Sequence, residues 1–333
     1  MSSITPNVKG TMRKYFLGLM ATYALLFPTM AESQTPKRVG VLVAHDQFIP
    51  AFEGFKKKMA DLGYIEGKNI VYDFNNAHAN TEALDTLAKK LAQDKPDLLV
   101  AASDAAVAAL ASFTKDNGIP VVFLSVSDPL RLVKSHASSG NNLTGISSTS
   151  IDLTEKRIEL LRELVPGIKR AISLHYSQAP NYKSNLHSTR EAAKKFGINL
   201  VEVVVASPEE LIQRAPVVLT RKTGEAVIYP PERIVFLTQK IISPQLIRER
   251  LPSIAAGVAS VYAGALATYA ADYFALGTQG AIVADSIFKG ARPSELPIQQ
   301  PFKLKLVINV KTAKAIGLKV PKETLLRADE VIE

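Results

Sequence analysis

One run, Asp97-Leu98-Leu99-Val100-Ala101-Ala102-Ser103-Asp104-Ala105-Ala106, continued by an alanine-rich stretch to Phe113, leaves few folds open to this chain. Consecutive apolar positions from Leu98 to Ala101 read as a strand buried on both faces, and Ser103 or Asp104 supplies the N-cap of the helix that follows. A strand of that kind belongs to a parallel sheet covered by helices. Its outgoing turn lies at the carboxyl edge of the sheet, where ligands bind and where a helix start offers free N–H groups to an anion. Taken alone the turn also reads as a plain strand-helix connection with a satisfied cap, so its surroundings decide.

The same grammar fills the chain. A strand at 38–44 leads through the loop His45-Asp46-Gln47-Phe48-Ile49-Pro50 into a helix at 51–62, which Gly63 stops. A strand at 69–74, a polar loop and a helix at 81–93 precede the opening run; a strand at 120–124 leaves through Ser125-Val126-Ser127-Asp128-Pro129. The turn formers at 138–145 mark a first crossover. Then the pattern restarts. Asp152-Leu153-Thr154-Glu155 has capping-box spacing and opens a helix to Leu164; strands at 171–175 and 200–205 flank a helix at 182–196. Ser207-Pro208-Glu209-Glu210 is a second capping box, and strands follow at 226–229 and near 253–256. The segment 262–272 alternates small and aromatic residues without a clear period before a helix at 273–288. Pro293, Pro297 and Pro301 then punctuate an extended strap into a strand at 304–310 and a last short helix around 311–316.

Strands alternating with helices imply α/β architecture with right-handed crossovers. The expectation is two similar parallel-sheet α/β lobes joined by three crossover segments, near 145–151, 262–272 and 293–303, with a ligand cleft between the lobes. Lobe one takes 36–147 plus about 270–295, and lobe two takes 148–265 plus about 302–333. A chain of 333 residues suits two lobes of ordinary size.

Residues 1–31 read as a secretory signal peptide: Arg13 and Lys14, an apolar segment at 15–27, Pro28, then Thr29-Met30-Ala31, with Met12 suited to be the initiator. An uncleaved anchor fits less well, because the apolar run falls short of the roughly 20 residues a span needs. The expected location is the periplasm. Cysteine is absent, which excludes disulfides, thiol chemistry and a lipid anchor on an N-terminal cysteine. Of the formal charge of +9, Lys9, Arg13 and Lys14 belong to the removed segment. The densest basic cluster, Lys56-Lys57-Lys58, sits opposite the apolar face Phe52, Phe55, Met59 and Leu62, so it reads as a solvated helix face and no nucleic-acid partner is expected.

Catalytic motifs are wanting. No G-x-G-x-x-G follows a strand, and Gly63-x-x-x-Gly67-Lys68-Asn69 has the wrong spacing and last residue for a phosphate loop. His45, His78, His136, His175 and His187 are scattered, and Gly145-Ile146-Ser147-Ser148-Thr149 fails the nucleophile-elbow pattern at its last position. No metal or cofactor is expected, and Asp46, Asp104, Asp128 and Asp272 read first as capping and turn residues.

Several stretches carry a family likeness. Ala51-Phe52-x-Gly54-Phe55, Leu62-Gly63-Tyr64-Ile65-Glu66-Gly67-Lys68-Asn69, Ser127-Asp128-Pro129, Asn141-Asn142-Leu143-Thr144-Gly145, Lys156-Arg157-x-Glu159-Leu160-Leu161, Gly264-Ala265-Leu266-Ala267-Thr268-Tyr269 and Arg327-Ala328-Asp329-Glu330-Val331-Ile332 together resemble bacterial ABC-transporter substrate-binding proteins of the tryptophan/tyrosine-type group. The resemblance implies a type 1 periplasmic-binding-protein fold and capture of an amino acid or related compound, without catalysis, for an inner-membrane permease; a monomer is expected. It also implies that the turns at Ser103-Asp104 and Ser127-Asp128, with the segment around Tyr269, face the cleft. The candidate ligand-binding residues are His45, Asp46, Gln47, Ser103, Asp104, Ser127, Asp128, Tyr176 and Tyr269. Asp128 is preferred to Asp104 as the partner of a ligand ammonium, because a carboxylate at a helix start competes with the ligand for the same N–H groups. The segment 213–222 departs from the family pattern. Two rivals remain: an exported α/β enzyme using cleft carboxylates, and a ligand-sensing receptor for a membrane signalling partner.

Overall fold

A computed structural model describes residues 1–2 and 35–333; the expected signal segment lies outside the described residues. The chain builds its first sheet from β1 (Lys37–Val43), β2 (Ile70–Asn76), β3 (Leu98–Ala102), β4 (Val121–Val126) and β5 (Leu143–Ser147), all parallel, in the order β2-β1-β3-β4-β5. Between them run α1 (Ile49–Asp61), α2 (Thr81–Gln93) and α3 (Asp104–Thr114). Every residue of β3 and β4 is buried, as continuous apolar strands covered on both faces must be.

The second sheet has the order β12-β11-β10-β9-β8-β6-β7. Its chain sequence is α4 (Thr154–Leu164), β6 (Arg170–Tyr176), α5 (Tyr182–Lys195), β7 (Asn199–Val205), α6 (Pro208–Val218), β8 (Ala226–Ile228), α7 (Arg233–Arg248), β9 (Ser253–Ala255), α8 (Val258–Tyr262) and β10 (Ala267–Ala271). The chain then leaves for α9 (Tyr273–Phe288) and returns as β11 (Leu304–Asn309), α10 (Val310–Ala315), α11 (Lys322–Leu326) and β12 (Glu330–Ile332). Distinct apolar clusters cover the two faces of this sheet, one built on Ile158, Leu161 and Ala192, the other on Leu211, Ile234 and Ile242.

Three segments join the lobes: 148–153 after β5, Asp272 between β10 and α9, and 299–303 before β11. Helix α9 lodges against α1 of the first lobe, where glycines let the backbones touch. A Cβ on Gly277 would stand 1.8 Å from the Ala51 carbonyl oxygen, and one on Gly54 2.0 Å from that of Phe274. Buried Arg157 ties the first crossover to β10, donating to the carbonyl of Ser150, to Thr154 Oγ1 at 3.2 Å and to the carbonyl of Tyr269 at 3.3 Å.

Three sequence expectations are corrected. The turn formers at 138–145 do not form the first crossover, because 143–147 pair with β4 as the buried strand β5; there Gly145 has φ +151°, and a Cβ on it would stand 2.1 Å from the Phe123 carbonyl oxygen. No capping box opens α4: the N-cap position falls on Leu153, without a side-chain cap, because 149–153 fold into a turn of their own. Nor is the second sheet wholly parallel. β11 runs antiparallel to β10 because the chain re-enters from the first lobe, through the cleft edge, and so travels away from the cleft.

Candidate functional site

In an open parallel sheet, ligands bind beyond the strand ends where the order reverses. The first sheet reverses between β1 and β3, and the second repeats the arrangement, with β6 next to both β7 and β8. The loops leaving β1, β3, β6 and β8 therefore meet across the cleft. They line a cavity of about 350 Å³, a size that suits a small organic molecule.

The first lobe contributes His45, Gln47 and Phe48 after β1, Asn80 and Thr81 after β2, and Ser103 and Asp104 after β3. His45 caps a short 3-10 turn, its Nδ1 accepting the Gln47 N–H at 3.3 Å. Its ring lies between Phe48 of its own lobe, 5.2 Å away, and Phe236 of the other, 5.1 Å away. Burial pulls the imidazole down to about 4, with Asp46 opposing and Arg233 reinforcing. Ser103 has φ +111°, a strained conformation for a serine, and its Oγ accepts the Ala106 N–H at 3.1 Å. Asp104 accepts from the Ser127 hydroxyl at 2.8 Å and N–H at 3.1 Å, and from the Asp128 N–H at 3.4 Å. Burial still pushes its carboxyl up.

The second lobe contributes Tyr176, Gln178, Asn181, Pro231, Arg233 and Phe236. Arg233 reaches back across the cleft: Nη1 donates to Thr81 Oγ1 at 2.8 Å and Nη2 to the Ala79 carbonyl. His78 and Ala79, both with positive φ, form the bend that presents this carbonyl. Helices α3, α5 and α7 all begin at the cavity wall. Behind it, buried Glu232 accepts the Tyr176 N–H, and at 3.2 Å an Asn185 side-chain N–H, so the ends of β6, α5 and α7 are held together. Neither polar atom of the Gln47 side-chain amide has a hydrogen-bond partner, and both are buried.

The structure brings His45, Gln47, Ser103, Asp104 and Tyr176 together and places the other candidates elsewhere. Asp46 is exposed and turned away, accepting from Asn76 Nδ2 at 2.7 Å and lying 3.2 Å from His78 Nδ1. Ser127 stands behind the wall, donating to Asp104 and accepting from Asn181 at 3.0 Å. Asp128 lines a separate hollow with His136, Asp152 and His187, and accepts from the Ser184 hydroxyl at 2.9 Å; Asp104, not Asp128, is the carboxylate at the cavity. Tyr269 sits mid-strand in β10, its side chain toward Leu160, Leu304 and Arg327, because alternation along the strand turns it to the α4 face. The irregular segment 213–222 lies in and after α6, away from the cavity wall.

Arg233, Phe236 and Asn181 escaped the sequence reading. The buried face of α7 mixes Ile234, Val235, Ile242 and Leu246 with Thr238, Gln239, Ser243 and Gln245, and Pro244 stands inside it, so the apolar period that would announce the helix is interrupted. The usable signal was position: Arg233 follows the carboxyl end of a strand, as His45 and Ser103 do.

Comparison with known proteins agrees with this geometry. A family model described as ABC transporter substrate binding protein matches residues 38–332. The chain is 31% identical over 294 residues, 86% of its own length and 83% of the relative's, to a tyrosine-binding protein of Clostridioides difficile (strain R20291). It superposes with a TM-score of 0.81 on an ABC domain in complex with L-Trp from Streptococcus pneumonia, at 26% identity over 90% of this chain and 100% of that one. A ligand-free, open substrate binding protein with adhesive properties from Clostridium difficile gives 0.69 at 28% identity, over 89% of this chain and 99% of that one. Since the matched residues span both sheets and all three crossovers, the chain belongs to the family of ABC transporter substrate-binding proteins.

Proposed function

We propose that this protein captures an amino acid with an apolar or aromatic side chain in the periplasm and hands it, chemically unchanged, to an inner-membrane ABC permease, acting as a monomer. The observation that carries the reading is the Gln47 amide, buried at the cavity wall with neither polar atom partnered, since such a group costs about 1–3 kcal/mol unless a ligand completes it. Around it the wall is largely apolar, with Phe48, Leu84, Phe236 and the rings of His45 and Tyr176. Arg233 and Asp104 offer one charge of each sign, as a zwitterion requires. The Ser103 hydroxyl and the start of α3 add donors for a carboxylate. The tyrosine-binding relative and the L-Trp complex support an aromatic amino acid.

The reading keeps the lobes as 36–147 with about 270–295, and 148–265 with about 302–333. Among the described residues no helix is long and apolar enough to cross a membrane. Export predicts a mature N-terminus near Glu32; full-length protein recovered from the membrane fraction would refute it.

The test is a thermal-shift screen of the amino acids and small carboxylates, followed by titration calorimetry. A ligand at 100 times its dissociation constant adds about 2.7 kcal/mol of stability. An aromatic amino acid recovered intact after incubation supports binding without turnover. A flat screen, or conversion of the ligand, overturns the proposal.

A further inference from the structure

We infer that Arg233 is the specificity-determining residue of the cleft: it selects ligands that carry a carboxylate and makes closure of the lobes depend on that charge. The inference rests on the cavity being an amino-acid site, as proposed above. Arg233 is the first residue of α7, and its partners among the described residues are neutral: the Thr81 hydroxyl and the Ala79 carbonyl, both on the opposite lobe. Those bonds use two of the five guanidinium donors and leave the rest for the cavity. The same bonds mean that Arg233 reaches its place only when the lobes are together.

Among the described residues no carboxylate pairs with Arg233. Helices α3, α5 and α7 start at the cavity and direct their positive ends into it. Burial pushes His45 toward its neutral form, with Asp46 opposing and Arg233 itself reinforcing. Asp104 is the one carboxylate on the wall, and its oxygens already accept from Ser127 and Asp128. Closing the lobes on a ligand without negative charge holds a half-buried guanidinium beside three helix N-termini with little to balance it. A ligand carboxylate can take paired donors from the planar guanidinium and supply the missing charge. Arg233 thereby links what is bound to whether the cleft shuts.

The probes are L-tyrosine and L-tryptophan beside their carboxamides, at a pH where each acid and its amide carry an ammonium, with affinity read by calorimetry and closure by small-angle scattering. With the unaltered protein each amide should bind on the order of 10- to 100-fold more weakly than its acid and leave the scattering curve unchanged. In Arg233→Gln the acid-to-amide ratio should collapse toward one, and Arg233→Lys should restore part of it. A merely structural role, through the bonds to Thr81 and Ala79, weakens acid and amide alike and keeps the ratio. Equal binding of acid and amide by the unaltered protein, which needs no variant to fold, overturns the inference while leaving the amino-acid site standing. An unaltered ratio in Arg233→Gln overturns it as well. If neither acids nor amides bind, the aromatic amino-acid reading falls and this inference with it.

Discussion

His45 shows what closing a cleft does to one side chain. Its ring is held between aromatic residues of opposite lobes, and its Nδ1 must stay deprotonated to accept the Gln47 N–H. Folding and closure therefore favour the neutral imidazole, lowered from 6.5 to about 4. The sign follows directly: the stabilisation is fully present above pH 6.5 and is lost as the pH falls toward 4, because the unfolded chain takes up a proton that the closed form refuses. The loss amounts to at most about 3 kcal/mol. Denaturation of the unaltered protein and of His45→Gln at pH 7 and near pH 4.5 measures it. The variant should lose distinctly less stability on acidification, and equal losses would remove His45 from the account. The same residue shows what was legible at this scale. A position just past the carboxyl end of a strand faces the cleft whatever side chain it bears, so the places of His45 and Ser103 could be read from the sequence. Side-chain direction could not. Asp46 is turned out by Asn76 and His78, and Asp128 is drawn to Ser184, partners supplied by segments 30 to 56 residues away.

Elements were readable where apolar residues recur with one clear period, as in α2, whose buried Leu84, Ala88 and Leu91 mark a single face. They were not where the burying surface belongs to distant chain. β5 is five buried residues among turn formers, made a strand by β4, and α7 buries polar residues that find partners inside the second lobe, such as Gln245 donating to the Leu219 carbonyl at 3.1 Å. The contact of α1 with α9 was equally hidden, since a glycine in a helix usually weakens it. Here the missing side chains let a helix that follows the second sheet settle on the first lobe, close to a crossover. Gly277→Ala puts a methyl 1.8 Å from the Ala51 carbonyl oxygen, which forces the helices apart. A destabilisation of roughly 1–3 kcal/mol or more is expected. Melting curves beside Ile282→Ala, a substitution at an exposed position of the same helix, check it; similar curves would mean that the helices separate at little cost.

At the scale of the molecule, three crossovers confine the lobes to a hinge, and the contacts that cross the cleft determine how firmly it shuts. Ser127 accepts from Asn181 and Asp128 from Ser184, while Arg233 spans to Thr81 and Ala79. This is a closed arrangement, and the whole-chain superposition agrees, at 0.81 on the L-Trp complex against 0.69 on the open, ligand-free relative. The bond from Ser184 to Asp128 lies outside the proposed ligand cavity, on the wall of the neighbouring hollow, so on that reading it acts on closure without touching what is bound. Removing it should lower the stability of the closed state by about 0.5–1.5 kcal/mol, equivalent to roughly a two- to tenfold loss of affinity. Because the bond forms only as the lobes meet, the change should fall on dissociation and spare association. Ser184→Ala examined by stopped-flow binding of L-tyrosine or L-tryptophan, beside scattering of the liganded protein, separates the possibilities. A faster off-rate with an unchanged on-rate and a less compact liganded form is the expected result. An unchanged off-rate would mean that the ligand alone holds the lobes together and that Asp128 and Ser184 only meet there.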